Sequence, residues 1–367
     1  VAGAVEAVAS TGGQIMPPVM GTAAFVMAEL LGVPYARVMI MAVIPALVYY
    51  IGVFVQIHYH SLKHGLRGLP KDQVPDFKKV LVRGGYYLIP LGVLVYLIAV
   101  LMWSPVTCAF ISLFIAMGLS FIRRETWMTP KKIFESFATG MEEALTIIIA
   151  AVAAGIIVGS TTYSSIGPRF GAIATSLSMG IQPLALAFTA ILCVILGMAV
   201  PTTPAYIITI AVTAPALSLL GVDRIPMHFF VLWFAVLSAI TPPVALAAYA
   251  ASTIAKDDPL KIGLYASKFG ITAFITPFLI IYRPSVLLGY LNLPLTVMLR
   301  EILIIFVATY AIAASLEGYI KRKMTFIERV LMFVGSILVF IPLEFIVNIL
   351  GLVMIMLGII LNLKYKV

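Results

Sequence analysis

Long apolar runs separated by short polar segments dominate the chain, and strict two-residue alternation is scarce. A run of about 20 apolar residues is long enough to cross a bilayer as a helix. Such runs fall at 37–57, 86–103, 105–122, 144–163, 262–282, 296–316, 329–345 and 347–363. Three further apolar segments are interrupted: 1–30 at Ser10 to Pro18, 182–221 at Pro201 and Pro204, and 227–255 at Pro242 and Pro243. A long basic loop is expected from 58 to about 85, and a short amphipathic stretch after Lys132. The pattern predicts an all-α polytopic membrane protein.

Composition supports that class. Apolar residues make up 62% of the 367 positions and charged residues 11%, against about 25% charged in an average soluble domain. A water-soluble enzyme is excluded, because no soluble fold of this length hides so much apolar surface. The apolar content alone suffices for about ten spans. The net charge of +9 comes from loop residues and implies no nucleic-acid partner. Eighteen of the 24 Lys and Arg residues lie on one set of loops: Lys63 to Arg83, Arg123 to Lys132, Lys256 and Lys261, Lys321 to Arg329, and Lys364 with Lys366. The opposite loops carry Arg37, Arg169, Arg224 and Arg283. The basic set therefore faces the cytoplasm, which puts the C-terminus there too. For sidedness to alternate, 182–221 must enter and leave from the outside. Two arms of under 20 residues around a Pro-rich tip suit a re-entrant hairpin.

Two segments 225 residues apart share a pattern, Gly13-Gln14-Ile15-Met16-Pro17-Pro18-Val19 and Ser238-Ala239-Ile240-Thr241-Pro242-Pro243-Val244. By the orientation above they run in opposite directions, as an inverted-topology repeat requires. A proline lacks the N–H and excludes the carbonyl four residues earlier. A Pro-Pro pair at membrane depth thus frees carbonyls that lipid cannot satisfy. A cavity, neighbouring side chains or a bound cation must take them. Ser10, Thr11, Gly12 and Gly13 are candidate cation ligands at the first break, and Ser238 and Thr241 at the second. The hairpin tip, Gly197 to Tyr206, adds the Gly197 carbonyl and the Thr202 hydroxyl to the second set. Its second arm opens near Pro204, where free N–H groups and the helix dipole favour an anion. Gln14, Pro17, Thr203 and Tyr206 are the candidate substrate contacts.

Other residues carry plainer expectations. Glu6, four residues before Ser10, is a candidate proton carrier or pairs with a basic residue at the inner surface. Glu29 and Glu344 fall at the outer interface, and Arg300 with Glu301 anchors a helix. Lys268 is expected to snorkel towards the cytoplasm. His58, His60 and His64 read as a solvated loop, with a metal site as the alternative. His228 is expected near the outer surface. Trp103, Trp127 and Trp233 suit an interfacial belt, and Cys108 and Cys193 read as packing residues. No Walker-type sequence supports ATP drive, and no cofactor is implied beyond a coupling ion.

The stretches Val5 to Gly21, Gly197 to Tyr206 and Ile240 to Tyr249 resemble the large membrane subunit of tripartite ATP-independent periplasmic (TRAP) transporters, in particular the fused permeases that work with TAXI-class binding proteins. The resemblance covers nearly the whole chain. It implies an inverted-repeat elevator-type transporter with broken helices and a re-entrant hairpin, in a prokaryotic inner membrane. A soluble binding protein would deliver a small organic anion, a small membrane subunit would assist, and a cation gradient, commonly sodium, would drive uptake. The family's first hairpin and the fused small-subunit portion are expected before residue 1, and without that hairpin the chain is not expected to transport alone. Ser164-Ser165 stands where a Thr-Gly pair is expected. The expected organisation is 1–57, broken helix and following span of the first repeat; 58–143, basic loops and scaffold spans; 144–283, second repeat; 284–367, C-terminal spans. Alternatives are a proton-coupled or binding-protein-independent anion carrier, and an intramembrane enzyme. The enzyme would need a catalytic His, Asp, Lys or Cys near the tips, where none occurs.

Overall fold

Prolines and small residues decide where the helices stop. The computed structural model describes all residues except 67, 69, 71–73, 165–168, 170–172, 174, 175, 180, 199, 342–344 and 365–367. Ser165, Glu344, Ala199 of the hairpin tip, and the basic residues Arg67, Lys71 and Lys366 lie outside the described residues. Helices α1 (Ala2–Gly12) and α2 (Thr22–Leu31) flank the first Pro-Pro pair, and α3 (Tyr35–Lys63) follows. Next, α4 (Phe77–Gly84) passes through a short turn into α5 (Leu88–Ala99), which packs beside α6 (Pro105–Ser120). The long α7 (Pro130–Ser164) precedes α8 (Gln182–Gly197) and α9 (Thr202–Leu219). Helix α10 (Arg224–Leu237), a 3-10 turn (Ser238–Ile240) and α11 (Leu246–Ala255) frame the second Pro-Pro pair. Helices α12 (Pro259–Phe269), α13 (Ile271–Tyr282), α14 (Leu295–Glu317), α15 (Phe326–Phe340) and α16 (Phe345–Lys364) complete the order.

Local chemistry sets several of these boundaries. Ser104 Oγ accepts from Thr107 N–H, and Pro105 occupies the first turn of α6, where a missing N–H does no harm. Asp76 caps α4. Thr325 and Glu328 form a reciprocal capping box at α15.

Several expectations are corrected. The basic loop to residue 85 contains α4, and α3 reaches Lys63 rather than ending near 57. The amphipathic stretch after Lys132 and the 144–163 span are one helix of 35 residues. The 262–282 run is not a straight span: α12 and α13 meet at a 47° bend at Gly270, where Gln56 Nε2 donates to the Lys268 carbonyl at 3.2 Å. Among the described residues, five helices are long and apolar enough to cross a membrane, or six if this bent pair is one span. The shorter apolar helices include α2, α10 and α11 of the broken segments and α8, the first hairpin arm, whereas the second arm, α9, is one of the five. Much of the apolar content therefore lies in helices too short for a full crossing. Trp233 is fully buried in the core rather than interfacial, whereas Trp103 and Trp127 are exposed.

The repeat is visible in the packing. Under the 225-residue offset, α1 corresponds to α10, α2 to α11, and α3 to the α12–α13 pair. The first half of each broken helix packs on the second half of the other: α1 on α11, and α10 on α2. This reciprocal crossing follows when two copies of one motif meet about a two-fold axis lying in the membrane.

Two buried ion-pair networks tie the last helices to this body. Arg283 donates to Glu301 Oε2, to the Phe340 and Ile341 carbonyls at 3.2 Å each, and to Asn348 Oδ1 at 2.8 Å. It thereby joins the end of α13 to α14, α15 and α16. At the other end of α14, Glu317 meets His60 at 3.1 Å, Lys63 at 3.2 Å and Lys268 at 3.0 Å. His60 is therefore a buried helix residue and not part of a solvated loop, while His58 and His64 are exposed. Lys268 pairs with Glu317 rather than only reaching for the surface. Helices α15 and α16 cross where Gly335 and Gly351 face each other. A Cβ on either glycine would lie 2.6 or 2.7 Å from the other's carbonyl oxygen, so only glycine permits the approach.

Candidate functional site

Side chains of neighbouring helices take over part of the backbone that the first Pro-Pro pair interrupts. Tyr49 and Tyr50 of α3 donate to the Val8 and Ala9 carbonyls at 2.6 and 3.1 Å. Tyr35 donates to the Pro18 and Val19 carbonyls at 3.0 and 2.6 Å. Ser10 is exposed and donates to Glu6 Oε1 at 2.6 Å. Thr11 and Gly12 are buried, and Gly13 is exposed. Among the described residues, Glu6 makes no ion pair with a basic side chain.

At the second break, Ser238 is buried and its hydroxyl lies 3.0 Å from the Gly197 carbonyl and 2.8 Å from the Ala235 carbonyl. The hairpin tip thus rests directly on the broken helix. A Cβ at Gly197 would fall 2.6 Å from Ser238 Oγ. Thr241 Oγ1 donates to the Leu237 carbonyl at 2.7 Å, and Ser267 Oγ to the Ile240 carbonyl at 2.9 Å. A cavity of ≈ 450 Å³ beside this contact is lined by Val194, Met198, Phe234, Thr241, Phe274 and Phe278, among others. Gly197 and Ser238 are brought together. Thr202 is partly exposed and, among the described residues, makes no hydrogen bond to either Ser238 or Thr241.

The candidate substrate contacts divide. Thr203 is buried, and its hydroxyl lies 2.5 Å from that of Thr22. Thr22 opens α2 and Thr203 belongs to the first turn of α9. Two half-helix N-termini, one from a broken helix and one from the hairpin, therefore converge on one polar point. Each contributes unpaired N–H groups and the positive end of a helix dipole. Gln14 adjoins the same place, since its carbonyl accepts from Gly21 N–H, the cap of α2, at 2.8 Å. Pro17 is partly exposed in the break, and Tyr206 is fully buried with its hydroxyl on His228 Nδ1 at 2.6 Å. His228 is itself buried, so its side chain packs inside the protein and is not open to a partner.

Thr22 was missed by the sequence reading. A lone threonine after the Pro-Pro segment carries no signal of its own. Its place is clear only once α2 and α9 are seen to meet.

These arrangements, broken helices crossing reciprocally with a hairpin seated on them, bear on the match to known families. Residues 1–291 match the model of the tripartite ATP-independent periplasmic transporter, DctM component. The chain belongs to the DctM family. Comparison with curated proteins gives no match. Membership makes this DctM-family chain a multi-pass inner-membrane permease of a TRAP system, not an enzyme, and implies an elevator-type fold. TRAP systems work by binding-protein-dependent secondary transport, with a periplasmic binding protein and a small membrane subunit.

Proposed function

We propose that this chain imports a small organic anion, a carboxylate delivered by a TAXI-class binding protein, and that a sodium gradient drives the uptake. The observation that carries the reading is the convergence of the α2 and α9 N-termini at the Thr22–Thr203 pair. Backbone N–H groups and two helix dipoles give that point positive character, which suits a carboxylate that must be released again. Gln14 lines the same place. The cation set is Ser10, Thr11, Gly12 and Gly13 at the first break, and Gly197, Thr202, Ser238 and Thr241 at the second, all neutral oxygen donors of the kind a hard cation takes. The C-terminus lies in the cytoplasm.

Two experiments test the assignments. Thr22→Val and Thr203→Val keep shape and remove a hydroxyl. Each is expected to weaken apparent affinity for the transported anion by about 5- to 150-fold, the equivalent of about 1–3 kcal/mol for a lost buried polar partner. Unchanged half-saturation in proteoliposomes for both variants would refute the anion assignment. For the cation, Thr241→Val is expected to weaken apparent sodium affinity over the same range. Thr253→Val removes an exposed hydroxyl that, among the described residues, bonds only within its own helix, to the Ala250 carbonyl at 2.8 Å, and should be near neutral. The reverse ranking would show the cation to lie elsewhere.

Proton coupling is the second reading, favoured by the Ser10–Glu6 hydrogen bond beside the first break. Sodium-independent uptake that Glu6→Gln abolishes would make it the better account.

A further inference from the structure

We propose that His60, His64 and Glu317 form a binding site for a divalent transition metal of the zinc class, at the cytoplasmic ends of α3 and α14. One ligand atom from each of the three residues lies within 4.8 Å of the other two. His60 and His64 are one helical turn apart, with ring centroids 4.2 Å apart. His64 Nδ1 lies 2.9 Å from the His60 carbonyl. A carbonyl only accepts, so Nδ1 carries the proton and Nε2 keeps its lone pair, the tautomer that a backbone carbonyl fixes in metal-ligating histidines. His60 Nδ1 and Glu317 Oε1 are 3.1 Å apart. Two ligands at about 2.0–2.1 Å from a tetrahedral zinc are separated by about 3.3 Å, so the ion would replace the proton now shared between them. Two imidazoles and one carboxylate suit zinc and its neighbours, whereas calcium and magnesium take all-oxygen shells.

The same carboxylate already has two ammonium partners, and this sets how tightly the metal binds. Lys268 holds Oε2 at 3.0 Å and can stay there as an outer partner that orients the carboxylate. Lys63 competes directly, at 3.2 Å from Oε1. It also donates to the Glu317 backbone carbonyl at 2.7 Å, so it can leave Oε1 without losing its anchor. Glu317 lies beyond residue 291, where the family match ends, so the site joins the family body to the helices that follow it.

Zinc titration of the purified permease, followed by calorimetry and by thermal melting, tests the site. The permease should take up one zinc per chain here, with a higher Tm on binding. His64→Ala should lower the metal-free Tm only slightly, since His64 is exposed and water can take over its bond to the His60 carbonyl. It should weaken zinc binding by at least the about 10- to 100-fold that loss of an outer partner causes. Lys63→Met should tighten binding about 10-fold, because it removes a like charge from the ligand oxygen. His58→Ala, an exposed histidine outside the cluster, should change nothing. The proposal is overturned if the permease binds no zinc at 100 µM, if His64→Ala binds as the parent does, if His58→Ala weakens binding as much, or if Lys63→Met weakens it.

Discussion

Gly197→Ala is expected to cut uptake about 100-fold or more. A Cβ there would lie 2.6 Å from Ser238 Oγ and 2.9 Å from Ser238 Cβ, closer than atoms can pack. Ser238 is buried and held by the Ala235 carbonyl, so the hairpin tip must move instead. Displacing a binding group by about 1 Å is enough for losses of this size. The displaced tip carries the Gly197 carbonyl, and Thr202 and Thr203 open the next helix on its other side. A second substitution separates crowding from chemistry. Adding Ser238→Gly to Gly197→Ala removes the clash and, with it, the Ser238 oxygen. The double variant should therefore recover yield and thermal stability, with sodium dependence still impaired. Uptake near the parent level in Gly197→Ala alone would show that the tip does not seat on the broken helix during transport.

Arg283→Met is expected to have the largest effect on stability. The arginine side chain is 6% exposed and that of Glu301 13%, and the guanidinium also satisfies the Phe340 and Ile341 carbonyls and Asn348. Removing it leaves a carboxylate buried without its main partner. Breaking a buried pair in this way costs about 3–5 kcal/mol, which a detergent-solubilised thermal melt resolves easily. Glu301→Gln keeps an acceptor for the guanidinium and should cost clearly less. A melt for Arg283→Met within error of the parent would mean that the Arg283 network does not hold the last three helices to the body.

The two Pro-Pro breaks were legible because proline leaves a mark that composition cannot hide: two such pairs, in register and in apolar runs, predict broken helices on physical grounds. The class followed from apolar content and loop charge. The bend at Gly270 was not legible, since a single glycine between Phe269 and Ile271 looks the same in a straight span. His60 reads as part of a solvated loop because it ends an apolar run beside basic neighbours, and Glu317, at the end of another apolar run, carries no signal of its own. Only the packing of α3 against α14 turns that end into a buried cluster. The candidate site divides in the same way. Ser238 and Gly197 stand in interrupted segments and invite attention, whereas Thr22 and the tyrosines that serve the first break, Tyr35, Tyr49 and Tyr50, lie in ordinary helical sequence. Their roles depend on contacts between segments that a one-dimensional pattern does not contain.

Sodium-driven, binding-protein-dependent import of an organic anion can be read in a single assay, uptake of a labelled carboxylate into proteoliposomes holding the permease and its small subunit, with binding protein outside. Accumulation is expected only when the loaded binding protein and an inward sodium gradient are both present, and uptake should collapse when sodium is equalised. Accumulation that proceeds without the binding protein, or that follows a pH gradient and ignores sodium, would contradict that mode of import.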